Sequence, residues 1–248
     1  MTDTPPAAPA PADARIAFRV TEGAGPTILF LPGYASDMHG TKALAIEAWA
    51  KENGRACVRF DYRGCGESEG SFEDYTLADW RDDALLIVDQ VIEGPVLLVG
   101  SSMGGWIALL VAKARPDRIA GFVGIAPAPD FTDWGFTAED KTALLTEGRI
   151  EKPSPYADTP TVTTRAFWAS GEANRLMFGT IPLAVPARLI QGMRDAEVPW
   201  ERACRLVQLI AADDVRTVLI KDGDHRLSRD ADIAIILQAI DEVVAAAD

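Results

Sequence analysis

From residue 16 onward, short apolar and β-branched runs alternate with longer stretches of helical period, and this alternation is the strongest constraint on the fold. The runs that we assign to strands are residues 16–20, 27–31, 56–60, 96–99, 119–125, 187–191 and 215–220. The stretches that we assign to helices are residues 41–53, 77–92, 103–114, 203–211 and 228–246. Several runs are apolar throughout, as in strands that are buried on both faces. The pattern predicts an α/β fold with a mainly parallel, doubly wound sheet.

One domain accounts for residues 14–248, because a single interruption breaks the alternation. Residues 1–13 are rich in proline and alanine and lack the features of a secretory signal, so we predict a disordered tail there. Between about residues 130 and 182, aromatic side chains are mixed with Asp, Thr and Pro. We expect a helical cap to be inserted on top of the sheet in this region. A cap that only closes its own apolar cluster and one that also binds substrate both fit the pattern.

The charge balance argues against several classes of partner. The 248 residues include 24 Lys and Arg against 37 Asp and Glu, which gives a formal net charge of −13. Such a chain repels phosphate backbones and anionic lipid surfaces, and no run of basic residues offsets this, so we expect no nucleic-acid partner. No stretch reaches the roughly 18 uninterrupted apolar residues of a membrane span.

The cysteines and histidines are too few for a disulfide framework or a histidine-rich metal site. Cys57, Cys65 and Cys204 are odd in number and fit no zinc spacing, and the chain has two histidines. We therefore expect free thiols in a reducing, cytoplasmic location, no metal and no cofactor. The sequence does not define an oligomeric state.

The segment Gly100-Ser-Ser-Met-Gly104 matches the pattern G-x-S-x-G of a nucleophile elbow. Glycines on both sides allow a serine to occupy a strained turn between a strand and a helix without steric clashes. The context agrees, since a buried strand is predicted before it and a helix after it. Ser102 is therefore the predicted nucleophile.

A serine hydroxyl needs a general base within hydrogen-bonding distance and a carboxylate to orient that base. His225 follows the last predicted strand, which is the loop position expected of the base. His39 precedes the serine and leads into a helix, so we favour His225 and keep His39 as the alternative.

The orienting acid should follow a strand between the serine and the histidine, at the edge where an open α/β sheet forms its crevice. Asp195 directly follows the predicted strand 187–191 and is our first choice. Asp130 is the second choice, and Glu197 is a further alternative. Asp224 adjoins His225 and would have difficulty folding back onto its ring.

Attack on a carbonyl places negative charge on its oxygen, and two backbone N–H groups commonly bind that oxygen. Met103 follows the nucleophile and should supply one of them. The second should come from the loop after residues 27–31, where Gly33 permits a close approach and Tyr34 is the predicted donor. A plain turn at Pro32-Gly33 is the alternative.

Taken together, these motifs resemble those of the α/β-hydrolase superfamily. The motifs that carry the resemblance occur in that superfamily's order and are Leu31-Pro-Gly-Tyr34, Phe60-Asp-Tyr-Arg-Gly64, Gly100-Ser-Ser-Met-Gly104, Gly192-Met-Arg-Asp195 and Asp224-His225. Within it, the chain is similar to the group of mitochondrial acyl-protein thioesterases that are also described as acyl-glucuronide esterases. The resemblance covers about residues 27–245 and is faintest across the insertion.

These observations predict a serine hydrolase that cleaves an ester or thioester through an acyl-enzyme. Its substrate would be a small-molecule ester or an S-acylated compound, because the net charge of −13 disfavours a polyanion such as acyl-CoA. The aromatic insertion indicates an apolar acyl group, with Trp134, Phe136 and Trp168 as the predicted substrate-binding residues.

Other functions remain open on this fold. A peptidase or a cofactor-free haloperoxidase would use the same three residues, whereas a serine at the elbow argues against a dehalogenase with a carboxylate nucleophile. A binding protein with an inactive triad is the alternative from another class, since a fold does not imply a function.

Overall fold

The computed structural model describes residues 14–153 and 160–247, and the tail predicted at residues 1–13 lies outside them. The strands are β1 (Phe18–Thr21), β2 (Ala24–Leu31), β3 (Arg55–Phe60), β4 (Val96–Ser101), β5 (Ile119–Ile125), β6 (Arg149–Lys152), β7 (Thr161–Thr164), β8 (Ala187–Gly192) and β9 (Val215–Ile220). The α-helices are α1 (Thr41–Glu52), α2 (Leu77–Gln90), α3 (Met103–Ala114), α4 (Phe131–Trp134), α5 (Ala138–Glu147), α6 (Arg165–Ala173), α7 (Glu201–Leu209) and α8 (Asp230–Ala247). Short 3₁₀ helices span Phe72–Asp74 and Pro116–Arg118.

The larger sheet has the strand order β1-β3-β2-β4-β5-β8-β9. Every neighbouring pair is parallel except β1 and β3, which are antiparallel. The predicted α/β fold with a mainly parallel sheet is confirmed. Because parallel strands share a direction, the loops that follow β2, β4, β8 and β9 meet at one edge of this sheet.

The strand β4 shows why the sheet is covered on both faces. All its residues are buried, and successive side chains point to opposite faces. Leu98 belongs to an apolar cluster that includes residues of α2, α3 and α7, whereas Leu97 and Val99 belong to a second cluster with residues of α1 and α8. The run at residues 96–99 is therefore uniformly apolar because the strand contacts a helical layer on each face of the sheet.

Tertiary contacts move some element ends away from their predicted positions. The strand at residues 215–220 and the helix at residues 103–114 have the predicted bounds. The helix predicted at residues 203–211 instead ends at Leu209. Ile210 forms an isolated parallel bridge with Ile181, and the N–H of Ala211 donates to the carbonyl of Ile181 at 3.0 Å. This pairing ends the helix at Leu209, although the apolar period of the sequence would allow the helix to continue.

The insertion between β5 and β8 is less helical than predicted. It contains α4, α5 and α6, as expected of a cap, and also the antiparallel pair β6 and β7, which the sequence did not predict. Most residues of β6 are exposed, and neither strand has a clear apolar alternation. The usual sequence signal of a strand is therefore missing there.

Gly104 allows helix α3 to approach strand β2. A Cβ at this position would overlap the main-chain carbonyls of Leu31 and Pro32. We expect Gly104→Ala to lower the free energy of unfolding by at least about 2 kcal/mol, because backbone atoms would have to move apart. Urea denaturation measures this loss. Gly179→Ala is the matched control, since a Cβ there meets nothing within 4 Å, and equal stability of the two variants would contradict this explanation.

Candidate active site

Ser102 lies in a strained turn between β4 and α3. Its φ of 54° and ψ of −118° fall in a region that L residues rarely adopt. A Cβ at Gly100 would overlap the main chain of Gly104, so the glycines let the strand and the helix touch. The Ser102 N–H donates to the carbonyl of Ile125 on the neighbouring strand at 2.9 Å. The turn thus presents the serine side chain at the carboxyl edge of the sheet.

The structure brings together the three side chains that the sequence pointed to. His225, in the loop after β9, places Nε2 3.1 Å from Ser102 Oγ and Nδ1 2.8 Å from Asp195 Oδ2. Asp195 lies in the loop after β8. A continuous hydrogen-bonded chain therefore runs from the serine through the imidazole to the carboxylate.

Asp195 is held as a buried carboxylate. Its side chain is fully buried, and Oδ2 also accepts a hydrogen bond from Gln191 Nε2 at 2.9 Å. Oδ1 accepts from the backbone N–H groups of Glu197 and Val198, both at 2.8 Å. Burial raises the pKa of Asp195, but the hydrogen bond and charge of His225 and the two backbone N–H groups outweigh it and leave the pKa below its usual value. Asp195 is therefore ionised when it faces the imidazole.

His39, the alternative base, has a different partner. Its Nε2 lies 2.8 Å from Glu67 Oε1, and both side chains are about half exposed. No hydrogen bond between His39 and Ser102 occurs in the part of the chain that the structure describes.

The other acids that the sequence offered do not contact Nδ1 of His225 in the described part of the chain. Asp130 accepts the backbone N–H groups of Leu176 and Met177, both at 2.8 Å, and so anchors the chain after α6. Asp224 accepts the N–H of Leu227 at 3.0 Å. Glu197 Oε2 is 3.6 Å from Nε2 of His225, on the side of the imidazole opposite to Asp195. Asp195 is therefore the carboxylate that faces Nδ1.

The two predicted oxyanion donors, Tyr34 and Met103, belong to segments that lie next to Ser102. Gly33 comes so close that a Cβ on it would lie 3.4 Å from the Cβ of Ser102, which brings the loop containing Tyr34 next to the nucleophile. Met103 is the first residue of α3. The N–H groups in the first turn of a helix have no acceptor within that helix, and they form its positive end.

A cavity of about 850 Å³ opens over Ser102 and His225. Its walls come from the loop after β2, the start of α1, the 3₁₀ helix Phe72–Asp74, the start of β7 and the His225 loop. The charged residues of its lining are four acids and two bases, namely Asp37, Glu73, Asp74, Glu197, Lys42 and Arg226. The cavity is thus acidic overall, as the whole chain is.

None of the predicted substrate-binding residues, Trp134, Phe136 and Trp168, lines this cavity. The indole N–H groups of Trp134 and Trp168 donate to the main-chain carbonyls of Pro129 and Thr132, at 2.9 and 3.1 Å. Phe136 stacks on another ring of the insertion. These aromatic residues stabilise the insertion itself.

Lys42 is a cavity residue that the sequence analysis missed. It is the second residue of α1, where a lysine is usually solvated, so its sequence position gave no signal. Its Nζ donates to the carbonyl of Arg226 at 2.5 Å, which ties α1 to the His225 loop. Burial and the charge of Arg226 lower the pKa of Lys42 to about 8, although Asp224 and Glu197 act in the opposite direction.

Within residues 14–153 and 160–247, no group of three or more His, Cys, Asp or Glu side chains is arranged to hold a metal ion. In the same part of the chain, none of the helices has the length and apolar character needed to cross a bilayer.

Comparison with known proteins adds the family context. The model of the alpha/beta hydrolase family matches residues 28–246. The human protein "Palmitoyl-protein thioesterase ABHD10, mitochondrial" is 39% identical over 233 residues, which cover 92% of this chain and 76% of that protein. The mouse alpha/beta hydrolase domain-containing protein 10 has a TM-score of 0.88 and 37% identity, over 95% of this chain and 96% of the other. A crystal structure from Agrobacterium vitis S4, described only as a hydrolase, has a TM-score of 0.89 and 41% identity, over 94% and 95% of the two chains.

The same relatives overturn one expectation. The sequence analysis predicted a cytoplasmic protein, whereas the human, orangutan and bovine relatives are mitochondrial proteins. The prediction of a cytoplasmic location was therefore wrong. It rested on free cysteines in a reducing compartment, which do not separate one such compartment from another.

The lowered pKa of Lys42 has a consequence for stability. Between pH 8 and about 10.5 the unfolded chain binds a proton at this lysine more strongly than the folded chain does, so its contribution to stability rises with pH. We expect the wild type to gain about 2 kcal/mol relative to Lys42→Met from pH 7.5 to 10, as measured by urea denaturation. Lys51→Met, at the exposed end of α1, keeps Lys42 and is the control, so its stability should follow the pH trend of the wild type. If the free energy of unfolding changed equally with pH in all three proteins, the pKa of Lys42 would not be lowered in the folded state.

Proposed function

The chain belongs to the alpha/beta hydrolase family and hydrolyses ester or thioester bonds, and we propose that Ser102, His225 and Asp195 carry out this reaction through an acyl-enzyme. The observation that carries the proposal is the hydrogen-bonded chain from Ser102 Oγ to Asp195 Oδ2, at the floor of a cavity large enough for a small ligand.

Acylation follows from this geometry. Ser102 Oγ attacks the carbonyl carbon of the substrate while its proton passes to Nε2 of His225. The buried carboxylate of Asp195 holds Nδ1–H and stabilises the imidazolium that forms. The tetrahedral intermediate collapses when the bond to the leaving oxygen or sulfur breaks, and Nε2 returns the proton to that atom.

Deacylation uses the same groups in reverse. A water molecule attacks the acyl carbonyl and gives a proton to Nε2 of His225. The second tetrahedral intermediate releases the carboxylic acid, and the proton returns to Ser102 Oγ. We assign the stabilisation of both oxyanions to the backbone N–H groups of Tyr34 and Met103, whose segments lie next to the serine.

The proposed substrate is an S-acyl or O-acyl compound with an apolar acyl group. The relatives named as palmitoyl-protein thioesterases support a thioester with a long acyl chain. Four carboxylates against two cations in the cavity lining disfavour a polyanionic leaving group such as coenzyme A. A protein-bound S-acyl cysteine or a small ester suits this electrostatic environment better.

The apolar wall of the cavity gives the acyl chain a place to bind. Phe72, Pro160 and Val162 contribute to this wall, and Phe72 packs edge-on against Tyr34 with ring centroids 5.0 Å apart. The tryptophans of the insertion lie elsewhere. Chain-length preference should therefore depend on the residues around Phe72.

Replacing the nucleophile tests the mechanism directly. We expect Ser102→Ala to lower kcat on p-nitrophenyl and acyl-thioester substrates by roughly 10³-fold or more without loss of stability, because the serine contributes chemistry rather than packing. His225→Ala should be about as damaging, since the members of a triad act as a unit. His39→Ala is the matched control and should leave kcat within about twofold. A fall of less than tenfold in Ser102→Ala, or failure of Ser102 to react with a fluorophosphonate, would contradict the proposal.

The acyl-binding assignment predicts different results for two aromatic residues. Removing the Phe72 ring deletes apolar contact with longer chains, so the kcat/KM ratio of octanoyl to acetyl esters should fall at least about threefold in Phe72→Ala. Trp134→Ala, which removes a large ring outside the cavity, should leave this ratio unchanged. Esters of increasing chain length provide the measurement. A shift in Trp134→Ala without one in Phe72→Ala would place the acyl chain in the insertion instead.

A further inference from the structure

The two ends of Tyr34 contact different parts of the molecule. Its backbone lies in the loop after β2, beside Ser102, where the proposed function gives its N–H to the oxyanion. Its hydroxyl donates to the carbonyl of Val162 on β7 at 2.8 Å and lies 3.3 Å from Thr163 Oγ1. One side chain therefore links the loop next to the nucleophile to a strand of the insertion that is 128 residues away.

The ring between these two ends is held on several sides. Ring centroids lie 4.8 Å away for Phe167, 5.0 Å for Phe72, 5.9 Å for Trp80 and 6.0 Å for Phe131. A ring enclosed in this way transmits a displacement of one end to the other instead of absorbing it by rotation. Burial raises the pKa of Tyr34 above its ordinary value, so its hydroxyl remains a donor at working pH.

Strand β7 is also a wall of the substrate cavity. Thr161 and Val162 line the cavity, and Val162 supplies the carbonyl that accepts the Tyr34 hydroxyl. A substrate that presses on this wall thus contacts the same residue that anchors Tyr34.

We propose that the Tyr34 hydroxyl is a positioning group, which anchors the oxyanion loop to β7 and so makes the rate of the chemical step depend on the insertion. This inference rests on the proposed function, because it takes the Tyr34 N–H as an oxyanion donor. Since oxyanion stabilisation depends on donors held in place before the reaction, a loosened loop lowers kcat more than it changes substrate binding.

If the Tyr34 hydroxyl had a purely structural role, its removal would not lower kcat. Tyr62 provides the comparison. Tyr62 is fully buried and packs on Phe60 and Trp80, as Tyr34 packs on its own aromatic neighbours. Its hydroxyl finds no hydrogen-bond partner among the described residues. Tyr62→Phe therefore removes a buried hydroxyl from the same aromatic cluster without affecting the oxyanion loop.

The experiment compares Tyr34→Phe with Tyr62→Phe. We expect Tyr34→Phe to keep its unfolding midpoint near that of the wild type, to lower kcat about tenfold and to change KM less than about twofold. A trifluoromethyl ketone forms a charged hemiketal oxygen with the serine, and its inhibition constant should rise about tenfold as well. Thr163→Val, which removes the weaker of the two contacts, should show a smaller effect in the same direction. Tyr62→Phe should match the wild type in kcat and in inhibition.

The outcomes separate this inference from the proposed function. If Ser102→Ala is inactive and Tyr34→Phe keeps the kcat of the wild type, the positioning role is wrong and the mechanism stands. A lower kcat with unchanged ketone inhibition would also overturn the inference, because the loss would then arise outside the oxyanion site. If Ser102→Ala stays active, the proposed function itself fails.

Discussion

The contact between strand β4 and helix α3 is the constraint on which the rest of the site depends. Because a Cβ on Gly100 would overlap the main chain of Gly104, this glycine lets the strand and the helix meet directly, and Ser102 bridges them with a φ of 54°. A positive φ at a serine is unfavourable, and the buried helix and sheet on either side supply the stability that maintains it. The loops after β2, β8 and β9 then need only end at the same sheet edge to place their residues around that serine.

The charged side chains of the site lie at the same edge of the sheet. Asp195 has four hydrogen-bond donors around its carboxylate, and these stabilise a charge that is buried there. Glu197 and Lys42 lie farther out on the cavity wall, next to the His225 loop. The charge of Asp195 thus lies inside, where it orients the base, whereas the charges of Glu197 and Lys42 belong to the lining of the cavity.

The sequence allowed prediction of features that depend on short segments. The strand–glycine–serine–helix pattern identifies the turn at Ser102, and the positions of Asp195 and His225 after apolar runs follow from the direction of parallel strands. The cavity walls could not be predicted in this way. Lys42 and Val162 reach the cavity only through the packing of α1 and β7, and neither has a local pattern that marks it. Aromatic composition alone does not tell whether a ring such as that of Trp134 faces a cavity or packs within its own segment.

The insertion is better regarded as part of the core than as a separate lid. Phe167, Leu176 and Ile181 belong to the same buried cluster as Leu31 and Trp106, so the apolar interior is continuous from the sheet into the insertion. A change in the insertion therefore alters the surroundings of the nucleophile as well as the shape of the cavity. Binding and chemistry share side chains in such an arrangement, and a substitution that widens the cavity will in general change kcat together with KM.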